Sequence, residues 1–307
     1  MRLNFKSVVY RFSRDFLHRR FSLLFLIFFM ATASITSAQE ITLKHKGLTL
    51  NADLALVEGK TFKDGVILIT HGSLAHRDME TLVYLRSLLK DFDYNTLAIN
   101  LSLGISNRHG MYDCQTPHHH HNDDAIEEID AWVQWLKEQG GKRVTLLGHS
   151  LGGAQTALYA AKKDSSMIQS VILLAPAAKN NDINSYPPAY RVALKQAQKL
   201  IEEGKGESEL EHSNLMHCRD TKVSAASFVS YNAPSKRLDT PSLLPDISKP
   251  VLVIIAEDDQ VVLDLETKIT PLVDGQRVQM EVIEGAGHFF RDLMMDVAVE
   301  RVDEFLK

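Results

Sequence analysis

Cysteine is nearly absent: the 307 residues hold only Cys114 and Cys218, so a fold stapled by several disulfides is excluded and one bridge at most can form. Positive charge is in deficit too, with 34 Lys plus Arg against 39 Asp plus Glu. Six of those bases and one of those acids fall in the first 38 residues, which leaves residues 39–307 with 28 bases against 38 acids, a net charge of −10. A surface of that sign repels phosphate backbones and argues against nucleic acid as a partner. Internal repeats are missing, and the run His118-His119-His120-His121 is the one low-complexity tract. Apolar residues, 45% of the total, are spread along the chain, as expected for one large domain with an insertion.

Long hydrophobic runs are missing as well, with one exception. Arg2, Lys6, Arg11, Arg14, Arg19 and Arg20 lead into Phe21 to Met30, which is almost wholly apolar but short of the roughly 20 residues a membrane span needs. Small residues follow at Thr36-Ser37-Ala38. The layout is that of a signal peptide over residues 1–38, cleaved before Gln39, with an uncleaved anchor as the alternative. No cysteine stands at the cleavage site, which argues against a lipoprotein. The expectation is an exported protein, periplasmic or secreted, without a stable membrane span after processing.

From residue 40 onward, short β-branched runs alternate with longer amphipathic stretches, the pattern of an α/β sheet. Strands are expected near 41–45, 48–57, 66–70, 95–101, 143–148, 170–175, 250–256 and 277–283. The first two flank Gly47 as a hairpin would. The later ones are separated by helix-length segments near 77–90, 122–138 and 151–162 and are therefore expected to be parallel. Val66-Ile67-Leu68-Ile69 and Val251 to Ile255 lack alternation, which places them centrally with helices on both faces. The rhythm breaks between Pro176 and Asp246, too long for a plain connection, so residues of about 177–245 read as a cap. Within it Ala189 to Glu203 has helical spacing, with Ala193, Ala197, Leu200 and Ile201 on one face.

The strongest local signal is Gly148-His149-Ser150-Leu151-Gly152-Gly153, placed between an expected strand and an expected helix. A serine at such a turn is held in a strained conformation with its hydroxyl projecting above the sheet, and small neighbours let the turn close. The Leu151 amide, at the helix N-terminus, points where an oxyanion would develop. Serine needs a base oriented by an acid. Gly285-Ala286-Gly287-His288 follows the last strand and offers His288 as that base. Glu257-Asp258-Asp259 follows the strand 250–256: Asp259 is the first choice of acid and Asp258 the reserve, with Glu257 assigned to the solvated face of the turn. The loop after residue 175 offers Asp182 as a further alternative. His71-Gly72-Ser73 follows the strand 66–70, so the Ser73 amide would supply a second oxyanion donor, while His71 and His149 read as structural residues of their loops.

These residues resemble the α/β-hydrolase superfamily of serine hydrolases, esterase- and lipase-like, from about residue 41 to the C-terminus. The nucleophile elbow maps onto Gly148 to Gly152, the histidine-glycine oxyanion loop onto His71 to Ser73, and the catalytic histidine onto His288. The acid motif of glycine, two residues, aspartate, two residues, valine falls on Ala256, Asp259 and Val262, with alanine in place of the glycine. The resemblance implies an eight-stranded, mostly parallel sheet with flanking helices and a cap, and hydrolysis without a cofactor or metal. It implies no particular substrate.

The expected function is cleavage of an ester-type, small-molecule acyl substrate through an acyl-enzyme. Amide or peptide hydrolysis is the near alternative, and a non-catalytic binder on the same fold the distant one. The histidine run next to Asp123 and Asp124 offers metal-type ligands, but neighbours on an extended segment point to alternate sides, so at most two would converge. The competing expectation has Asn122 capping a helix whose first turn carries those aspartates. Cys114 and Cys218 fall in segments at the same edge of the sheet, and in an oxidising compartment a bridge between them would tie the loop after the fourth strand to the cap.

Overall fold

A computed structural model describes residues 38–179 and 181–307. The expected leader, residues 1–38, lies outside them but for Ala38. The strands are β1 (Gln39–His45), β2 (Leu48–Ala55), β3 (Val66–Thr70), β4 (Thr96–Asn100), β5 (Val144–His149), β6 (Ile168–Leu174), β7 (Glu209–Leu215), β8 (Cys218–Ser224), β9 (Val251–Ala256) and β10 (Val278–Ile283). Eight of them form one sheet in the order β1-β2-β4-β3-β5-β6-β9-β10. β1 and β2 are an antiparallel hairpin, β2 meets β4 antiparallel, and every pairing from β4 to β10 is parallel. The parallel strands therefore end at one edge, where the connecting loops collect.

The helices are α1 (Glu80–Asp91), α2 (Asp124–Glu138), α3 (Leu151–Lys162), α4 (Pro188–Glu202), α5 (Ala225–Asn232), α6 (Thr240–Leu243), α7 (Leu265–Ile269) and α8 (Leu293–Leu306). Side chains alternate across a strand, so β3 serves two cores at once. Val66 and Leu68 join Ile129, Trp132 and Val133 of α2 and Ala157 and Leu158 of α3 on one face. Ile67 and Ile69 join Leu82, Leu85 and Leu89 of α1 and Met295, Val299 and Val302 of α8 on the other. Every residue of β3 and β9 is buried, as their unbroken apolar runs require. Each such aliphatic chain contributes about 1.5–3 kcal/mol on burial. No helix among the described residues is long and apolar enough to cross a membrane.

Between β6 and β9 the chain builds α4, the antiparallel ladder β7–β8, α5 and α6. The hairpin was not expected from the sequence. Leu194 and Ala197 of α4 pack with Leu210, Val223 and Phe228 in a small core of their own. The face expected for this helix is thus rotated: Ala197 is buried, but Leu194 replaces Ala193 at its centre and Ile201 is 39% exposed. Helix α1 begins at Glu80 rather than near 77, and α2 at Asp124 rather than 122. Asn122 does not cap α2. Its side chain accepts from Gln155 Nε2 of α3 (3.1 Å), and the Asp124 carboxylate instead takes the amide of His121 (2.6 Å).

Cys114 and Cys218 are bonded, joining the long loop after β4 to the first residue of β8 across a sequence separation of 104. The bridge works alongside a patch of local pairing: the His118 amide donates to Lys222 O and the Ser224 amide to His118 O, both at 2.9 Å. Closing a loop of this length lowers the entropy of the unfolded chain by an amount worth at most about 4–5 kcal/mol. Replacing both cysteines by alanine is expected to lower Tm by roughly 5–15 °C. Calorimetry of the oxidised protein against that variant checks this, and an unchanged Tm would count against the bridge.

Candidate active site

β5 ends in the turn that carries Ser150, whose backbone sits at φ 56° and ψ −126°. A non-glycine residue held there costs on the order of 1–3 kcal/mol, and the surroundings must enforce it. They do so by close approach. A Cβ on Gly152 would collide with the carbonyl oxygens of Thr70 and His71, and one on Gly148 with the Gly152 carbonyl and Thr156 Oγ1. The Ser150 amide donates to Leu174 O at 3.0 Å, and the Ala177 amide donates to Ser150 O at 2.9 Å. The hydroxyl is thereby fixed at the C-terminal edge of the sheet.

His288, on the loop after β10, and Asp259, after β9, reach the same edge because β9 and β10 run parallel in register from Val251 with Val278 to Ala256 with Ile283. His288 Nε2 lies 2.9 Å from Ser150 Oγ, and His288 Nδ1 lies 2.7 Å from Asp259 Oδ2. The second oxygen of Asp259 accepts the amides of Val261 (2.7 Å) and Val262 (2.9 Å), which orients the carboxylate. Asp259 and His288 are buried, whereas Asp258 and Glu257 are exposed. Asp258 contributes its backbone, donating to Ala286 O at 2.9 Å. Glu257 does more than face solvent: its carboxylate accepts the Gly285 amide at 2.9 Å and so holds the histidine loop. Asp182 sits elsewhere, accepting the amide of Asn184.

Ser73 and Leu151 line the same cavity as Ser150, and among the described residues neither amide donates to any protein acceptor. Gly72 brings the Ser73 loop against the nucleophile: a Cβ there would lie 3.1 Å from Ser150 Cβ. His71 is buried and structural. Its Nε2 accepts the Leu101 amide (3.0 Å) and its Nδ1 donates to Gly72 O (2.9 Å), and burial followed by the Arg108 charge pushes its pKa down to about 3. His149 donates from Nε2 to His288 O at 2.9 Å, and burial lowers its pKa to about 4, so it stays neutral beside His288.

Two residues behind the site escaped the sequence reading. Buried Arg108 donates to Leu101 O and Ala75 O, each at 2.8 Å, and reaches Asn100 Oδ1 and His71 Nε2 at 3.1 Å. It ties the loop after β4 to the loop carrying Ser73. Buried Glu128 accepts the Ser102 amide (2.7 Å) and hydroxyl, and burial raises its pKa to about 7. Glu128 was detectable as the one acid within the apolar stripe Ala125, Ile129, Trp132 of α2. Arg108 gives no comparable signal, since it sits in the loop between β4 and α2, where no periodic pattern marks a buried face.

The four histidines at 118–121 divide as an extended segment requires. His118 and His120 point inward, their ring nitrogens 3.1 Å apart, and His120 Nδ1 meets the Tyr231 hydroxyl of α5 at 2.8 Å. His119 points outward between Glu207 and Glu209. Burial lowers His118 to about 4 and His120 to about 3. Together with His71 and His149 these make four histidines kept neutral by burial, with folded pKa values below the unfolded 6.5. The unfolded chain therefore binds more protons below pH 6.5, so their contribution is present above that pH and is lost as pH falls toward 3–4. Glu128 acts oppositely between 4.5 and about 7, offsetting one of the four. Each histidine can supply up to about 1.4 kcal/mol per pH unit. The urea midpoint is expected to fall steadily from pH 7 to pH 5, and a flat profile would contradict the neutral assignments.

A cavity of about 950 Å³ opens over Ser150. Its floor is the elbow and the Ser73 loop, one wall is Val261, Val262 and Phe289, and its roof includes Met216 from the β7–β8 turn and Tyr190, Tyr231 and Leu238 from the segment between β6 and β9.

A strand-serine-helix elbow at the C-terminal edge of a mostly parallel sheet defines the alpha/beta hydrolase class. The chain belongs to the alpha/beta hydrolase family, whose model matches residues 66–304. Among solved structures it is similar to Est1E from Butyrivibrio proteoclasticus, at 18% identity and a TM-score of 0.62 over 88% of this chain and 98% of that one. An esterase of Pyrococcus furiosus aligns at 18% identity and TM-score 0.57 over 88% and 90%. A dienelactone hydrolase from Anabaena variabilis aligns at 16% and 0.54 over 88% and 96%. At these identities the likeness concerns the fold. Comparison with curated proteins gives no significant match.

Proposed function

We propose that the protein is an exported serine esterase in which Ser150 is the nucleophile, His288 the general base, Asp259 the orienting acid, and the Ser73 and Leu151 amides the oxyanion donors. The observation that carries this reading is the unbroken line Asp259–His288–Ser150, at 2.7 and 2.9 Å, ending in a cavity beside two unspent amides. Ser150 Oγ attacks the ester carbonyl carbon while His288 Nε2 takes its proton, and Asp259 stabilises the resulting imidazolium through Nδ1–H. The carbonyl oxygen, now negative, accepts from Ser73 and Leu151. Collapse breaks the bond to the leaving alcohol, which receives the proton from His288. Water, deprotonated by His288, then releases the acid and regenerates the serine.

Export is supported by the basic, apolar and small-residue order of residues 1–38 and by a disulfide, which persists in oxidising compartments. A fluorophosphonate probe is expected to label the folded protein at Ser150, found by peptide mapping, and to leave Ser150→Ala unlabelled. Folded protein that resists labelling would favour a non-catalytic binder on the same fold. Initial rates on p-nitrophenyl esters of rising chain length, compared with aminoacyl amides, test ester against amide cleavage.

A further inference from the structure

The charged lining of the cavity runs against the rest of the protein. Residues 39–307 carry a net −10, yet Lys179, Arg219 and Lys268 line the cavity against a single acid, Asp264. None of the three cations lies within ion-pair distance of a carboxylate among the described residues. Arg219 is exposed and Lys268 half-buried at the rim, and such groups raise the local concentration of anions. Lys179 is different because it is drawn inside. It follows Ala177, whose amide is bonded to the Ser150 carbonyl, so two peptide units keep its Cα within about 8 Å of that of Ala177. One of its three N–H groups goes to Tyr231 O at 2.6 Å, and the ring of Tyr186 lies 5.5 Å from Nζ. Burial without an offsetting carboxylate lowers its pKa to about 8.

A second donor faces the same cavity. Asn232, at the end of α5, is 5% exposed and lines the cavity. Its Oδ1 accepts the Tyr190 hydroxyl, while its Nδ2 is buried with no acceptor among the described residues. An orphaned buried N–H is costly unless something supplies an oxygen. Charged and neutral donors left unspent on one side of the cavity, with the nucleophile on another, define the shape of a ligand that joins an ester to an anionic oxygen group.

From this we infer that Lys179 and Asn232 form a carboxylate-binding subsite, and that the substrate is an ester carrying a free carboxylate. The inference rests on the esterase reading of Ser150 and deepens it. Lys179 donates to one carboxylate oxygen in a charge-assisted hydrogen bond, Asn232 Nδ2 donates to the other, and the Met and aromatic lining packs the intervening body. The carboxylate can sit on the acyl side or on the alcohol side of the ester.

The experiment separates these sources. In Ser150→Ala, calorimetric titration with monomethyl glutarate (acyl-side carboxylate) or 4-acetoxybenzoate (alcohol-side carboxylate) is compared with the matching neutral esters, dimethyl glutarate and methyl 4-acetoxybenzoate. At least one anionic ligand should bind roughly tenfold or more tightly than its neutral mate. Lys179→Met in the same background should erase that ratio, and Lys179→Arg should restore most of it. A lysine that merely braces α5 through Tyr231 would leave the ratio untouched, because neutral and anionic esters would suffer alike. Equal affinities within both pairs, no binding by either anion, or a ratio surviving Lys179→Met in folded protein overturns the inference. Turnover by otherwise intact protein is a separate measurement: its absence would refute the esterase reading while leaving the anion preference legible in the titrations.

Discussion

Ser150→Ala is expected to lower ester turnover by a factor on the order of 10⁴–10⁶ with the fold intact. Only one oxygen is removed, and the elbow that presents it is set by backbone bonds, Ser150 N to Leu174 O and Ala177 N to Ser150 O, which alanine keeps. His288→Ala should be comparably severe, because the hydroxyl at 2.9 Å then has no base. The double variant should lose little more than either single one, since a nucleophile without its base and a base without its nucleophile are equally idle. Initial rates on p-nitrophenyl butyrate, with circular dichroism to check folding, decide it. A residual tenth of the activity in Ser150→Ala would remove Ser150 from its role, and strict additivity in the double variant would imply that the two residues act in separate steps.

What the sequence made legible follows from how local each feature is. Every residue of the elbow lies within Gly148 to Gly153, so its chemistry was readable before any fold. The central strands β3 and β9 were readable because burial on both faces leaves an unbroken apolar run. The β7–β8 hairpin was not, for two reasons. Its strand Glu209–Leu215 buries only Leu210 and Leu215. Register shifts at Leu210, Ser213 and Leu215, with positive φ at His212, Met216 and Asp220, also destroy the period-two signal. Asn122 misled because a good capping residue stood one position before the true boundary, while its amide was needed for Gln155 of α3, a contact 33 residues away. Arg108 and Asn232 are of the same kind. The contacts that give them a role, Arg108 with Ala75 and His71 and Asn232 with Tyr190, span 33, 37 and 42 residues of chain, and neither residue type carries a motif that announces it.

Asp259→Asn is expected to reduce turnover by about 10⁴-fold, the scale known where a triad aspartate becomes asparagine. The sequence offers Asp259 as first choice and Asp258 in reserve, with Glu257 on the solvated face of the turn. Asp259 Oδ2 lies 2.7 Å from His288 Nδ1, and its Oδ1 is already held by the Val261 and Val262 amides. An asparagine in that grip must keep its oxygen toward the two amides, so its NH₂ faces Nδ1. Two donors cannot share that contact. The imidazole responds by carrying its proton on Nε2, which then points an N–H at Ser150 Oγ and cannot accept the serine proton. Asp258→Asn should leave turnover within about threefold of the parent, since its exposed side chain touches neither His288 nor Ser150 and exposed substitutions rarely disturb a fold. Glu257→Gln should fall between them, because glutamine retains an oxygen for the Gly285 amide but loses the charge that strengthens that bond. Steady-state kinetics on the three variants test the order directly: a larger loss for Asp258→Asn than for Asp259→Asn would transfer the acid's role one residue back.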